Sequence, residues 1–301
     1  MLERFLNNSS SDNDRDPLRA ALTLAKLVRS ATLSYATPHQ KPRGSSIGAR
    51  EKRKGGQGHQ FWQFRDYTQG DTPRSIDWRR TGRGDTTIVR ERADEQTDIF
   101  RLWVDPKLGS ISSQKHYASQ IIALTAAHLA HEEEDKTSLL RTGKNIASRG
   151  QKTLQDHAHT LQRNGCIGAK RLKTISVPRA DFPLLISDFW VPLESFEANI
   201  LPVIKHHPKG LCIQVAARDE LDFPFVGRVR FSPDDTHANN LIIEDTQAVR
   251  TAYLSEIENH INGLRSQIET YGWGFMTVNA DADLLPVLQD IFAIMSTREV
   301  V

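Results

Sequence analysis

Charge and aromaticity are most densely interleaved between Phe61 and Glu91, where the chain reads F-W-Q-F-R-D-Y-T-Q-G-D-T-P-R-S-I-D-W-R-R-T-G-R-G-D-T-T-I-V-R-E. Asp66, Asp71 and Asp77 alternate there with Arg65, Arg74, Arg83 and Arg90, among Tyr67, Ile76 and Trp78. A planar guanidinium pairs bidentately with carboxylates and stacks on aromatic faces, so arginine suits such a network better than lysine. Gln69-Gly70-Asp71 reads as a turn in which Gly70 is free to take positive φ. Two roles follow, and they do not exclude one another. The lattice can pin an N-terminal extension onto the domain that follows, or present a surface on which a partner docks. The packing role predicts that Asp77 and Trp78 are largely buried, with Asp77 paired to an arginine of the same segment.

Other patterns that could carry chemistry do not survive their context. Gly44-Ser-Ser-Ile-Gly48 spells G-x-S-x-G, but a nucleophile elbow needs a strand before it and a helix after it. Gly143-Lys144 lacks the upstream glycine and the following hydroxyl residue of a phosphate loop. His128 and His131, three apart ahead of Glu132-Glu-Glu-Asp135, read as a helix end with a solvated acidic cap. His157/His159 and His206-His207 have no cysteine or carboxylate at metal-ligand spacing. No nucleophile, base and orienting group assemble, so no catalytic residue is named.

The 301 residues, 38% hydrophobic and 25% charged, describe an ordinary globular chain, neither disordered nor collagenous. Lys and Arg total 39 against 37 Asp and Glu. That near balance hides an asymmetry: residues 41–92 hold 13 Lys and Arg against six Asp and Glu. A nucleic-acid-binding role for this basic segment is the first alternative, with Phe61, Trp62, Tyr67 and Trp78 as stacking platforms. The aspartates set among the arginines argue against it, because they neutralise the field. Cys166 and Cys212 cannot form a disulfide framework and fit a reducing compartment. No apolar run is long enough to span a bilayer, and the N-terminus lacks a signal-peptide pattern, so a cytoplasmic location is expected.

The elements that must position these residues follow from pattern. Residues 1–16 read as a disordered leader, and Asp16-Pro17 opens a helix that runs to about Tyr35. Residues 41–60, rich in glycine and bases, read as an exposed loop. From about Thr97, short apolar runs alternate with helical patterns. Strands are expected at 99–104, 137–140, 182–186, 210–215 and 274–278, and helices at 113–133, 151–163, 193–206, 246–271 and 283–295. Near-continuous apolar strands, each followed by a helix, indicate a doubly wound, mainly parallel α/β sheet. The expected organisation is a leader at 1–16, an extension at 17–96 with helix, basic loop and charged motif, and an α/β domain at 97–301.

The charged segment resembles the family catalogued as domain of unknown function 58. There, R-x-Y-x-x-G-D-x-x-R-x-I-D-W-x-x-x-A-R precedes the first strand of a von Willebrand factor type A-like domain. Arg65, Tyr67, Gly70, Asp71, Arg74, Ile76, Asp77, Trp78 and Arg83 match it, with Gly82 where alanine is usual, and Val89-Arg90-Glu91 matches the run that follows. The similarity continues through Ile186-Ser-Asp188 to the 272–278 strand. It implies a Rossmann-like core with its ligand surface at the carboxyl ends of the strands.

Metal-binding relatives in that superfamily hold Mg2+ on a D-x-S-x-S loop and a later aspartate. Here the loop is Asp105-Pro-Lys-Leu-Gly109, with Lys107 and Gly109 in place of the hydroxyls, and Asp188 matches the later aspartate. The resemblance therefore implies a degenerate site at Asp105 and Asp188, with Mg2+ disfavoured and the Lys107 ammonium available to replace the cation. Both aspartates are expected at the ends of neighbouring strands, facing one shallow cleft. The resemblance further implies a non-enzymatic adaptor for a MoxR-type AAA+ ATPase. A metal-dependent hydrolase is the second alternative, but it needs more ligands than Asp105 and Asp188 supply.

Overall fold

The computed structural model describes residues 16–35, 52–68, 76–83, 86–94, 97–141, 145–231 and 241–297. The expected leader, the 41–51 part of the basic loop, and Gly70, Asp71 and Arg74 lie outside them. Two compact units emerge, one within Met1–Gln40, Ile99–His131 and Asp135–Val301, the other within Lys41–Asp98 and Glu132–Glu134.

In chain order the elements begin with α1 (Pro17–Tyr35), β1 (Lys52–Asp66), α2 (Trp78–Thr81) and β2 (Ile88–Asp94). Next come β3 (Ile99–Val104), α3 (Leu108–Ile111), α4 (Ser113–Glu132), β4 (Lys136–Leu139), α5 (Gln151–Gln162), α6 (Ala169–Leu172) and β5 (Phe182–Ser187). Then follow α7 (Leu193–Asn199), α8 (Leu201–His206), β6 (Leu211–Ala216) and α9 (Arg218–Asp222). The last are β7 (Val229–Phe231), β8 (Leu241–Ile243), α10 (Thr246–Glu269), β9 (Gly274–Asn279) and α11 (Leu285–Thr297).

The larger unit is built on a five-stranded sheet of order β4-β3-β5-β6-β9, every neighbouring pair parallel. Counted within the sheet, that is the doubly wound order 2-1-3-4-5, whose switch point falls between β3 and β5. The central strands read as near-continuous apolar runs because helices flank the sheet. Leu184, Leu185, Ile186, Leu211, Cys212 and Ile213 are all fully buried. Two tryptophans anchor the core and satisfy their indole N–H groups: Trp103 donates to the Ile167 carbonyl at 2.7 Å, Trp273 to that of His207 at 3.0 Å. Gly210 is glycine for a packing reason, since a Cβ there would stand 2.5 Å from the Trp273 ring.

Four differences from the sequence expectation have physical causes. Helix α1, grouped above with the extension, lies in the same compact unit as the sheet, because Ala21, Ala25 and Val28 on its apolar stripe join the core. Asp16 caps it as expected, accepting from Leu18 N at 3.0 Å. The helix expected at 193–206 is two helices, and Pro202, in the first turn of α8, has no N–H with which to continue the ladder of α7. The stretch around 226–231, read as irregular, contains β7, which forms an antiparallel ribbon with β8. Residues 52–60, read as loop, belong to β1, which pairs antiparallel with β2 in the smaller unit. Register shifts between Gly56 and Phe61 let the ladder absorb the glycines.

Candidate functional site

The carboxyl edge of the sheet at the β3/β5 switch point is where an open α/β sheet places its ligands. Asp105 follows β3 and Asp188 follows β5, the two strands pair directly, and Asp105 N donates to the Ile186 carbonyl at 2.9 Å. The aspartates thus end neighbouring strands as expected. They do not open onto a cleft, however: Asp105 is 5% and Asp188 8% exposed.

Each carboxylate is committed to internal partners. Asp105 Oδ1 accepts from Lys107 N at 3.1 Å and Oδ2 from the Ser187 hydroxyl at 3.0 Å. Burial pushes its carboxyl above the usual range, and the nearby Asp188 charge adds to this, while those two hydrogen bonds act the other way. Asp188 Oδ2 lies 3.4 Å from Lys115 Nζ, and its carbonyl accepts from Gln214 Nε2 at 3.0 Å. Gln214 in turn accepts from Thr277 Oγ1 at 3.0 Å, so the network reaches β9.

Lys115 is the residue that sequence reasoning missed. It stands in the first turn of α4, its side chain only 2% exposed, and its ammonium bridges Asp188 to Glu220 Oε1 at 2.7 Å. Glu220 is held by Ala217 N, which donates to Oε2 at 2.8 Å. The ammonium expected to replace a cation is therefore that of Lys115, whereas Lys107 is exposed. A signal was present in the sequence: from Ser113 to His131, Lys115 is the only Lys, Arg, Asp or Glu. A lone lysine in so apolar a helix must find a buried counter-charge.

The backbone beside this network is strained. Phe189, directly after Asp188, holds φ 50° while fully buried, its carbonyl 3.0 Å from His260 Nε2. An aromatic residue in the left-handed region persists only where its surroundings over-determine it.

The donor set does not fit Mg2+. Both Asp105 oxygens already accept hydrogen bonds, Asp188 is paired with an ammonium, and Lys107 and Gly109 supply no hydroxyl. A Cβ at 109 would meet the side-chain amide of exposed Asn164, which would have to swing aside. Among the described residues, no group of three His, Cys, Asp or Glu is arranged to hold a metal. Millimolar Mg2+ is therefore expected to leave the melting temperature unchanged, whereas a competent site at 100 times its Kd would add about 2.7 kcal/mol. A rise that disappears in Asp105→Ala would contradict this.

In the smaller unit, the described motif residues lie near the β1/β2 ladder. Arg65 pairs through its backbone with Val89, Arg90 with Phe64, and Tyr67 N donates to the Thr87 carbonyl at 2.8 Å. Asp77 is half-buried and caps α2, accepting from Arg80 N at 3.2 Å, while the Arg80 guanidinium stacks 4.0 Å over the Phe64 ring. Trp78 is not buried as expected. It is 65% exposed, with Arg79, Arg80 and Arg83 exposed around it and Tyr67 at 43%. The one-turn α2 buries none of its four residues, whereas Val89, bridged through its backbone to half-buried Ile76, is buried.

Both thiols are buried, which disfavours the thiolate. Burial raises Cys166 to about 11 and Cys212 further still. No helix among the described residues is long and apolar enough to cross a membrane.

A parallel, doubly wound, Rossmann-like α/β sheet whose switch-point edge is closed by an internal ammonium is the class of protein these features define. The family described as "Protein of unknown function DUF58" matches residues 63–262, and the chain belongs to that family. A solved structure, the conserved hypothetical protein BatB from Bacteroides thetaiotaomicron, is similar at 11% identity and a TM-score of 0.37, over 67% of this chain and 98% of that one. No curated protein matched the chain.

Proposed function

We propose that this chain is a non-enzymatic interaction module that partners a MoxR-type AAA+ ATPase. The exposed Trp78 with its surrounding arginines is the observation that carries the reading. Tryptophan, tyrosine and arginine are enriched at binding hot spots, and exposed Trp78, Tyr67, Arg79, Arg80 and Arg83 combine all three types in one unit. The carboxyl edge of the sheet supports the same view. Its carboxylates are spent on Lys115 and on hydrogen bonds, so they are not free to activate water or hold a metal. The role does not require a metal.

The test is co-purification of the tagged chain from its native cell. An AAA+ ATPase is expected with the wild type and is expected to be lost with Trp78→Ala, while the unfolding free energy stays within about 0.5 kcal/mol of wild type because the side chain is exposed. Failure to recover any such ATPase, or its full retention by Trp78→Ala, would overturn the proposal.

A further inference from the structure

Arg101 occupies the third position of β3, a strand whose other core-facing residues are Phe100, Leu102, Trp103 and Val104, and it is only 8% exposed. An arginine in such a place needs its charge met. Its Nε donates to Asp181 Oδ2 at 2.6 Å and its Nη1 to the Asn145 carbonyl at 2.5 Å. A guanidinium has five N–H donors, so these two contacts leave others, and Arg101 lines a cavity of about 540 Å³.

Two more arginines line the same cavity: Arg141, just beyond β4, and Arg171, on α6. Both residues are exposed, and neither side chain has a carboxylate partner among the described residues. The described lining thus holds three arginines and no carboxylate; Asp181, which answers Arg101, is not part of it. Ile167, Ile175 and Val177 form an apolar wall. The volume is that of a small-molecule site. Arginines gathered beside an apolar wall select an anionic group attached to an apolar body.

We infer that this cavity binds a small organic anion, its phosphate or carboxylate on Arg141 and Arg171 and its apolar part against Ile167, Ile175 and Val177. The site is separate from the Asp105/Asp188 edge and from the Trp78 surface, and does not rest on the proposed ATPase partnership. Arg101 is a positioning residue: tied to Asp181 and Asn145, it fixes the cavity floor.

The probes are adenosine monophosphate and benzoate, titrated calorimetrically into the full chain at constant ionic strength, with NaCl as the reference. Binding of at least one probe above the NaCl reference is expected, and the probe that binds tells phosphate from carboxylate. In the double variant Arg141→Gln/Arg171→Gln, the Kd is expected to rise at least about tenfold, the loss of charge-assisted hydrogen bonds from two exposed side chains. The melting temperature of that variant without probe should match wild type, which separates lost binding from lost folding. Binding of neither probe, or equal binding by the double variant, would overturn the inference.

Discussion

Lys115→Met is expected to remove about 3–5 kcal/mol from the unfolding free energy at neutral pH, because it leaves two partly or fully desolvated carboxylates facing one another. The side chain of Asp188 is 12% and that of Glu220 29% exposed, and both look to the same ammonium. Methionine matches the length of the lysine stem, so packing along α4 is kept and the loss reports the charge. The lower end of the range is the better guide to the Glu220 share, since water reaches that carboxylate. A second variant makes the origin explicit. Adding Asp188→Asn and Glu220→Gln to Lys115→Met should recover much of the loss, since an apolar or neutral replacement of a whole buried ion group is often tolerated. Urea melts of the three proteins decide it. A Lys115→Met protein as stable as wild type would mean that the ammonium is not what closes this edge.

That ammonium also shows where the limit of sequence reading lay. The strands of the main sheet were legible because burial on both faces writes them as near-continuous apolar runs, broken only by Arg101 in Ile99–Val104 and unbroken in Phe182–Ile186. The positions of Asp105 and Asp188 at neighbouring strand ends followed from the same runs and from the doubly wound order. What joins them did not. Lys115 meets Asp188 across 73 residues and Glu220 across 105, and no local pattern encodes such a contact. Strand β1 was hidden for another reason: its glycines and lysines mimic a loop, and only the ladder to β2 supplies the hydrogen bonds that make it a strand. Trp78 shows the converse error. A large aromatic residue in a charged lattice suggests packing, but four helical residues present no inner face on which to pack it. The exposure that defeated that expectation is the feature on which the proposed docking role rests.

Between pH 6.5 and pH 5 the protein is expected to lose about 2 kcal/mol of stability through His157, and somewhat less through the more accessible His131. Thr137 Oγ1, at the start of β4, lies 2.7 Å from His131 Nε2 and 3.0 Å from His157 Nε2. One hydroxyl has one proton to give, so the chain of contacts suits two neutral rings and accommodates two imidazolium ions poorly. Burial is the largest cause in both cases, and it lowers each histidine to about 4. The charges of His128 and Arg149 on His131, and of His131 and Arg141 on His157, act in the same direction, while Asp156 opposes them at His157. A folded pKa below the unfolded value of about 6.5 means that the unfolded chain takes up protons first as the pH falls. The stabilising contribution is therefore complete above pH 6.5 and is lost progressively towards pH 4. His116 and His207, also lowered by burial, add to the slope, and Asp105, raised by burial, subtracts from it. The share of the Thr137 cluster is isolated by His157→Gln, whose amide can still meet the threonine and which should flatten the profile between pH 6.5 and pH 5. Proton resonances of the two imidazole rings give a direct reading on the folded protein. Midpoints near 4 agree with the buried, uncharged cluster, and a His157 midpoint above about 6 would show that its surroundings do not hold the ring neutral and that the loss must come from elsewhere.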